Sequence, residues 1–502
     1  MAATVGGVGR TTLVASALAV VAMLAFGAAA AVEASETTAE PLGGPAPVTP
    51  VLSARRVPGL IAAPVADRRL TSALDGLVAR QSGTTCLTVS SSGRTVYAHA
   101  PDVALVPASI EKLFTAVAAL EVLGPDHRLR TRVLAAAPPV AGVVTGDLWL
   151  VGGGDPLLAT DPYLARFRRQ PQIATDAEAL ADAVAAAGVT QVGGAVVGDE
   201  SRFDSVRYVG AWPARFIEQD QSGPISALTI DDNWATFPPS PEVVVPDESP
   251  APDPPAHAAG VLTGLLAQRG VAVAAPPAAG VAPPDAIELA AIDSPPMAQL
   301  VAQMLRESDN QTAEVLVKEI AVARGRPGTT ADGVAAIAEV LGELGLPVAG
   351  SVVADGSGLA DTNRHTCELV QAVLDRGGPE SPIGAGLAVA ATSGTLERRF
   401  VGTPLAGRLQ AKTGTLNTVT ALAGFLATDP GAQVTFAFVV NLAPEERVDD
   451  ADLALQEELA LILLRYPEGP PLDALGPLPP PVAVPQPGLE VPGTSTTVTA
   501  PG

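Results

Sequence analysis

Proline clusters decide where this chain can build regular structure. A proline fixes its own φ and removes a backbone donor, so helices and central strands do not run through a cluster of them. About half of the 48 prolines fall in three stretches of the 502-residue chain: 35–65, 238–255 and 468–502. The first, rich in Pro, Thr, Gly and Ala, reads as a linker, and the last as a disordered tail. The middle one is a break inside the chain. Folded elements must therefore come from the tracts on either side of it. Since 47% of the residues are hydrophobic, global disorder is excluded.

Ahead of the linker, Arg10 is followed by the uncharged, Ala-, Leu- and Val-rich residues 11–32. This is either a secretory signal peptide, with A-x-A-like cleavage sites at 28–34, or a membrane anchor. Both readings export the rest of the chain. The net charge of −23 leaves no basic surface for nucleic acid. Four histidines and two cysteines without clustering leave little room for a metal site, and none is expected. Cys86 and Cys367 are even in number in an exported chain, which permits a disulfide; the preferred reading is two buried free thiols.

Between the proline stretches the pattern is α/β. Leu70, Ala73, Leu74, Leu77 and Val78 have the spacing of an amphipathic helix. Residues 86–89 and 94–98 flank Ser91-Ser92-Gly93 as a β-hairpin. Thr175 and Glu178 are spaced as a capping box opening a helix that ends at Gly188.

The chain contains only three lysines, Lys112, Lys318 and Lys412, so 27 of its 30 basic residues are arginine. A chain that writes Arg almost everywhere keeps Lys where an amine must be able to lose its proton. Lys112 stands three residues after Ser109, one turn along a helix that Gly124 ends, so the amine reaches the hydroxyl. A serine hydroxyl is a weak nucleophile until a neighbouring base takes its proton. Lys412 opens Lys412-Thr413-Gly414-Thr415 on a predicted edge strand, where Gly414 lets a ligand approach the backbone. The run 421–426 follows, with 434–440 as its hairpin partner. Between the two lysines, Ser308-Asp309-Asn310 joins a helix over Met297–Glu307 to one from about Thr312. Alone, that triplet is a capping turn. Lys318 reads as structural and residues 355–358 as a tight turn. The glycine run 152–154 lacks dinucleotide spacing, and without a G-x-S-x-G elbow a triad through His99, His127, His257 or His365 is not expected.

Ser-x-x-Lys, Ser-Asp-Asn and Lys-Thr-Gly in this order resemble the motif set of penicillin-binding proteins and serine β-lactamases. Ser308 follows Ser109 by 199 residues, and the text at 107–123, 153–156, 197–203 and 355–359 also matches. Together they resemble the low-molecular-mass class C penicillin-binding proteins, the D-alanyl-D-alanine carboxypeptidase/endopeptidase family. The resemblance implies a serine-type carboxypeptidase, with or without endopeptidase activity, acting on peptidoglycan stem peptides ending in D-Ala-D-Ala. β-Lactam antibiotics would be covalent inhibitors, and no cofactor is implied. In catalytic roles it places Ser109 as nucleophile, Lys112 as base, Ser308 as proton relay and Asn310 as a holder of substrate backbone. Lys412, Thr413, Gly414 and Thr415 would bind substrate, the two lysines repelling each other and the N–H groups of Ser109 and Thr415 forming the oxyanion hole. A β-lactamase and a silent peptidoglycan-binding protein are the alternatives.

The expected organisation follows. Residues 1–34 are signal or anchor, 35–67 linker and 467–502 disordered tail. Residues 68–130 and 290–466 form one α/β (α+β) catalytic domain, an antiparallel sheet between helices, interrupted by a β-containing insert at 131–289.

Overall fold

The computed structural model describes residues 53–167, 173–243, 248–470 and 472–477. The segment 1–34, the linker as far as residue 52 and the tail beyond 477 lie outside them. Residues 59–472 form one compact unit; the other comprises 1–58 and 473–502, where a 3-10 turn spans Ala54–Arg56.

Helix α1 (Pro58–Val78) begins inside the stretch read as linker, a correction to the boundary at 67. Pro58 occupies the first helical position, where its missing N–H is no loss. Pro64 removes one helical bond, but Ala66, Leu70, Leu74 and Leu77 pack along one face and hold the helix. A second correction concerns the tail, because Leu472–Leu475 form a helical turn between Pro471 and Pro477.

The predicted hairpin is present as β1 (Thr84–Ser91) and β2 (Arg94–His99). A 3-10 turn, Ala108–Glu111, leads into α2 (Lys112–Val122), and Gly124 follows with φ +91°. A second region of strands begins at β3 (Arg130–Ala135) and β4 (Leu148–Val151). It continues through α3 (Ala177–Ala186), β5 (Val196–Asp199), α4 (Pro254–Gln268), β6 (Ala278–Ala279) and β7 (Ile287–Asp293). These strands form a mixed sheet in the order β6-β5-β4-β3-β7. The chain then forms α5 (Met297–Glu307), α6 (Asn310–Ala323), α7 (Thr330–Glu343) and α8 (Cys367–Gly377). It closes with β8 (Ala388–Val389), β9 (Leu409–Leu416), β10 (Val419–Ala427), β11 (Gln433–Asn441) and α9 (Asp450–Leu464).

The larger sheet, β8-β9-β10-β11-β1-β2, is antiparallel throughout. It is the expected sheet between helical layers. Successive strand residues face opposite sides, so β10 sends Ala421, Ala423 and Phe425 to one core and Leu422 and Leu426 to the other. The first core contains residues of α2, α5, α6, α7 and α8; the second contains those of α1 and α9.

The capping box at Thr175 is corrected. Asp176 caps α3 by accepting from Ala179 N, whereas Thr175 lies in a short strand and donates to Asp155 Oδ2 at 2.6 Å. Both residues have capping chemistry and both pair with Leu158–Ala159, but the Thr175 hydroxyl is taken by Asp155, which leaves the cap to Asp176. Lys318 is structural as read: buried on α6, it pairs with Asp204 at 2.5 Å, beside the Arg202–Glu319 pair.

The free thiols are a fourth correction. Cys86 in β1 and Cys367 at the start of α8 form a disulfide, their Cα atoms 5.9 Å apart, because α8 packs directly on the sheet. It closes a loop 281 residues long in sequence. Replacing both cysteines with serine should therefore destabilise the protein by about 2–5 kcal/mol. Denaturant unfolding of oxidised wild type and the variant tests this, and equal midpoints would contradict it.

Candidate active site

The 3-10 turn presents Ser109 and α2 presents Lys112, whose side chain is completely buried. Lys112 Nζ lies 3.1 Å from Ser109 Oγ, 2.7 Å from Asn310 Oδ1 and 2.6 Å from the Ser357 carbonyl. A neutral amine has two hydrogens and one lone pair. With both hydrogens given to Asn310 and Ser357, the lone pair is directed at the Ser109 hydroxyl. Burial lowers the amine to about 8, against the opposing pull of the Asp355, Glu314, Asp309 and Glu111 carboxylates.

The Ser-Asp-Asn triplet is both a capping turn and part of the site. Ser308 ends α5 in the left-handed region, at φ +62°. Asp309 caps α6 by accepting from Thr312 N and Oγ1. This reversal directs the Ser308 and Asn310 side chains to the two lysines. Lys412 Nζ donates to Ser308 Oγ at 2.8 Å and to the Thr413 carbonyl at 2.9 Å, while Asn310 Nδ2 donates to the Gln221 carbonyl at 2.7 Å.

Strand β8 pairs only with Gln410 and Ala411, so β9 is an open edge from Lys412 onward. Gly414 has a different local role from the one expected. A Cβ there would come within 2.8 Å of the Pro107 carbonyl and 3.2 Å of Ala108 Cβ. Its missing side chain lets β9 pass against the turn that carries Ser109. Ser109, Ser308, Asn310 and Thr415 line one cleft of about 630 Å³.

The lysine repulsion also needs restating. Burial lowers Lys112, and the repulsion registers on Lys412, which burial and the Lys112 charge together hold well below the usual lysine range. The reason is position: Lys112 sits among carboxylates that oppose the loss of its proton, whereas hydroxyl and carbonyl oxygens meet the amine of Lys412.

Two supporting groups escaped the sequence reading. The turn at 355–358 is tight, as expected, but its Ser357 carbonyl meets Lys112. Asp355 holds it by accepting from Gly358 N, Ala360 N, Trp212 Nε1 and Asn363 Nδ2. From the other side, fully buried Glu314 accepts from Gly356 N at 3.1 Å and Ser357 N at 2.8 Å. The available signal was helical spacing, since Asn310, Glu314 and Lys318 recur every four residues along apolar α6. Glu111, next to Lys112, is paired with His365 at 2.7 Å with both side chains buried.

A serine facing the lone pair of a buried amine, at one end of an antiparallel sheet between helices, is the apparatus of a serine acyl-transfer enzyme. Comparison with known proteins gives the family. The D-Ala-D-Ala carboxypeptidase 3 (S13) family profile matches residues 66–243 and 246–458. A D-alanyl-D-alanine carboxypeptidase of Actinomadura sp. (strain R39) is 31% identical over 480 residues, spanning 80% of this chain and 84% of that one. Carboxypeptidase DacB of Mycolicibacterium smegmatis is 31% identical over 455 residues, spanning 86% and 94%. The solved structure of penicillin binding protein 4 from Haemophilus influenzae shares the fold, with a TM-score of 0.66 at 23% identity, over 78% of this chain and 99% of that one. The chain belongs to the D-Ala-D-Ala carboxypeptidase 3 (S13) family, and is a hydrolase of that class.

Burial, reinforced by the Asp355 charge, raises the Glu314 carboxyl to about 8, against about 4.3 in an unfolded chain. Between those values the folded protein holds a proton that the unfolded one has released. Its contribution to stability is complete below about pH 4.3 and is lost as pH rises through about 8. Glu314→Gln keeps the acceptor oxygen and cannot titrate, so stability of this variant should fall less than that of wild type between pH 5 and 8. Urea unfolding at several pH values measures this, and parallel profiles would contradict it.

Proposed function

We propose that this family member removes the terminal D-Ala of peptidoglycan stem peptides through an acyl-enzyme on Ser109. The observation that carries the reading is the buried Lys112 amine, 3.1 Å from Ser109 Oγ and lowered to about 8. Ser109 Oγ attacks the carbonyl of the penultimate D-Ala while Lys112 Nζ takes its proton. The backbone N–H groups of Ser109 and Thr415 meet the oxyanion. Collapse breaks the C–N bond, and the proton reaches the leaving amine through Ser308. Water then hydrolyses the ester and frees the shortened peptide. Lys412 and Thr413 bind the terminal carboxylate, whose negative charge compensates the Lys412 ammonium.

Peptidoglycan lies outside the cytoplasmic membrane, so residues 11–32 act in export, as a cleaved signal or a retained anchor. β-Lactams act as substrate mimics that acylate Ser109. In support, penicillin binding protein 4 of H. influenzae has been solved in complex with a β-lactam. The long stretch between Ser109 and Ser308 disfavours a β-lactamase, and the intact Ser109–Lys112 pair disfavours a silent binding protein.

Labelled penicillin followed by peptide mapping should place a long-lived adduct on Ser109; label on another residue, or rapid turnover, would overturn the reading. The acylation rate should climb with pH and level off above about 8, as Lys112 loses its proton. Lys112→Arg should cut the rate by roughly 10³-fold or more, because a guanidinium stays protonated. Near-wild-type acylation in that variant would place the base elsewhere.

A further inference from the structure

The turn that carries Ser109 begins without a capping side chain. Pro107 precedes it, and Ala108 enters it in the left-handed region, at φ +50°. An alanine does not favour that conformation, so contacts from elsewhere in the chain must hold it. His365 makes such contacts at both ends. Its backbone exchanges two hydrogen bonds with Leu105, each 2.9 Å, ahead of the turn. Its ring shares a hydrogen bond with Glu111, Nε2 to Oε2 at 2.7 Å, at the last residue of the turn. One residue therefore closes the segment from 105 to 111, with Ser109 inside it.

His365 is itself anchored. Two residues on, Cys367 opens α8 and is joined by the disulfide to Cys86 in β1. The imidazole lies against Phe114 of α2, with ring centroids 4.2 Å apart. Both side chains of the pair are completely buried, and among the described residues neither Glu111 Oε1 nor His365 Nδ1 has a partner. Such a pair is a poor source of stability, because apolar residues of similar volume often serve as well or better. What a hydrogen bond adds is direction, since it fixes its two groups in distance and angle. Glu111 stands two residues after Ser109, so the two side chains leave the turn in different directions. Ser109 lines the cleft, while Glu111 is wholly inside the core.

We infer that Glu111 and His365 are positioning residues for acylation, a buried pair that sets the turn so that the Ser109 hydroxyl and N–H stand where attack and the oxyanion require them. This rests on the acyl-enzyme reading. Neither residue touches substrate; both act through the backbone of the turn. Misplacing a reacting group by about 1 Å can cost about 10²-fold in rate. Loosening the pair should therefore slow bond formation and leave binding at Lys412 and Thr413 intact.

The test follows acylation by labelled penicillin at rising concentration, well above pH 8, where Lys112 is neutral whatever stands at 111. It reads separately the limiting rate, the half-saturating concentration and the fraction of protein labelled. Glu111→Gln keeps the reach and a group that can donate or accept, and its limiting rate should stay within about threefold of wild type. Glu111→Asp keeps the charge but draws it back by one methylene, and should lose about tenfold or more. Glu111→Leu combined with His365→Leu orphans no polar group, so it should unfold near the wild-type urea midpoint and yet acylate about tenfold or more slowly. In all three, half-saturation and labelled fraction should stay within about twofold of wild type. If the Asp variant does not fold, the leucine pair carries the comparison. A Gln variant as slow as the Asp variant, or a leucine pair as fast as wild type, would overturn the inference. So would a loss confined to half-saturation or to the labelled fraction, or a leucine pair that does not fold, since the residues would then serve binding or stability alone. Absence of label on Ser109 in wild type would instead overturn the acyl-enzyme reading.

Discussion

The site depends on one amine taken completely out of water. A buried ammonium costs several kcal/mol in lost hydration, and in this position Asp355 opposes that penalty most, with Glu314, Asp309 and Glu111 adding to that opposition to the extent that they are ionised. Neither effect wins outright. The balance leaves Lys112 lowered to about 8, so the neutral amine and the ammonium are both accessible around neutral pH. The acceptors at Asn310 and Ser357 then determine the direction of the lone pair. Lys412 lacks comparable carboxylate support, and a substrate carboxylate would supply it.

Helix α6 joins this chemistry to the rest of the molecule. Its first residue, Asn310, orients Lys112, and one turn later Glu314 anchors the turn that carries Ser357. A further turn along, Lys318 and Glu319 pair with Asp204 and Arg202. The carboxylate of Glu319 is almost fully buried, so removing Arg202 would leave a charge that costs far more than an exposed pair contributes. Residues 202 and 204 are thereby fixed to the helix that begins at Asn310.

Much of this was legible in the chain. The hairpin around Ser92-Gly93, the helix after Ser109, the Met297–Glu307 helix and the strands around Lys412 all followed from periodicity and turn chemistry. The three-lysine inventory drew attention to Lys112 and Lys412, while Lys318 was read as structural from its place on the helix after Ser308. The reading failed where two local choices were nearly equal. Thr175 and Asp176 are both good caps, and Pro64 argued against a helix that burial of Leu70, Leu74 and Leu77 nevertheless supports. The pairing of Cys86 with Cys367 depended on how closely α8 approaches β1.

Residue types and spacing alone brought the Ser109 hydroxyl to the Lys112 amine and gave the order of the motifs, because a Ser and a Lys one helical turn apart meet whatever surrounds them. They could not determine which lysine would have carboxylate neighbours, since Glu314 and Asp355 reach Lys112 only when α6 and the 355–358 turn pack around it. They also left open why Gly414 is a glycine. The close approach of the Pro107 carbonyl decides that, and the approach exists only once the sheet and the Ser109 turn are packed together. Proton affinity and backbone clearance are sums over neighbours distant in sequence, so they belong to the tertiary structure.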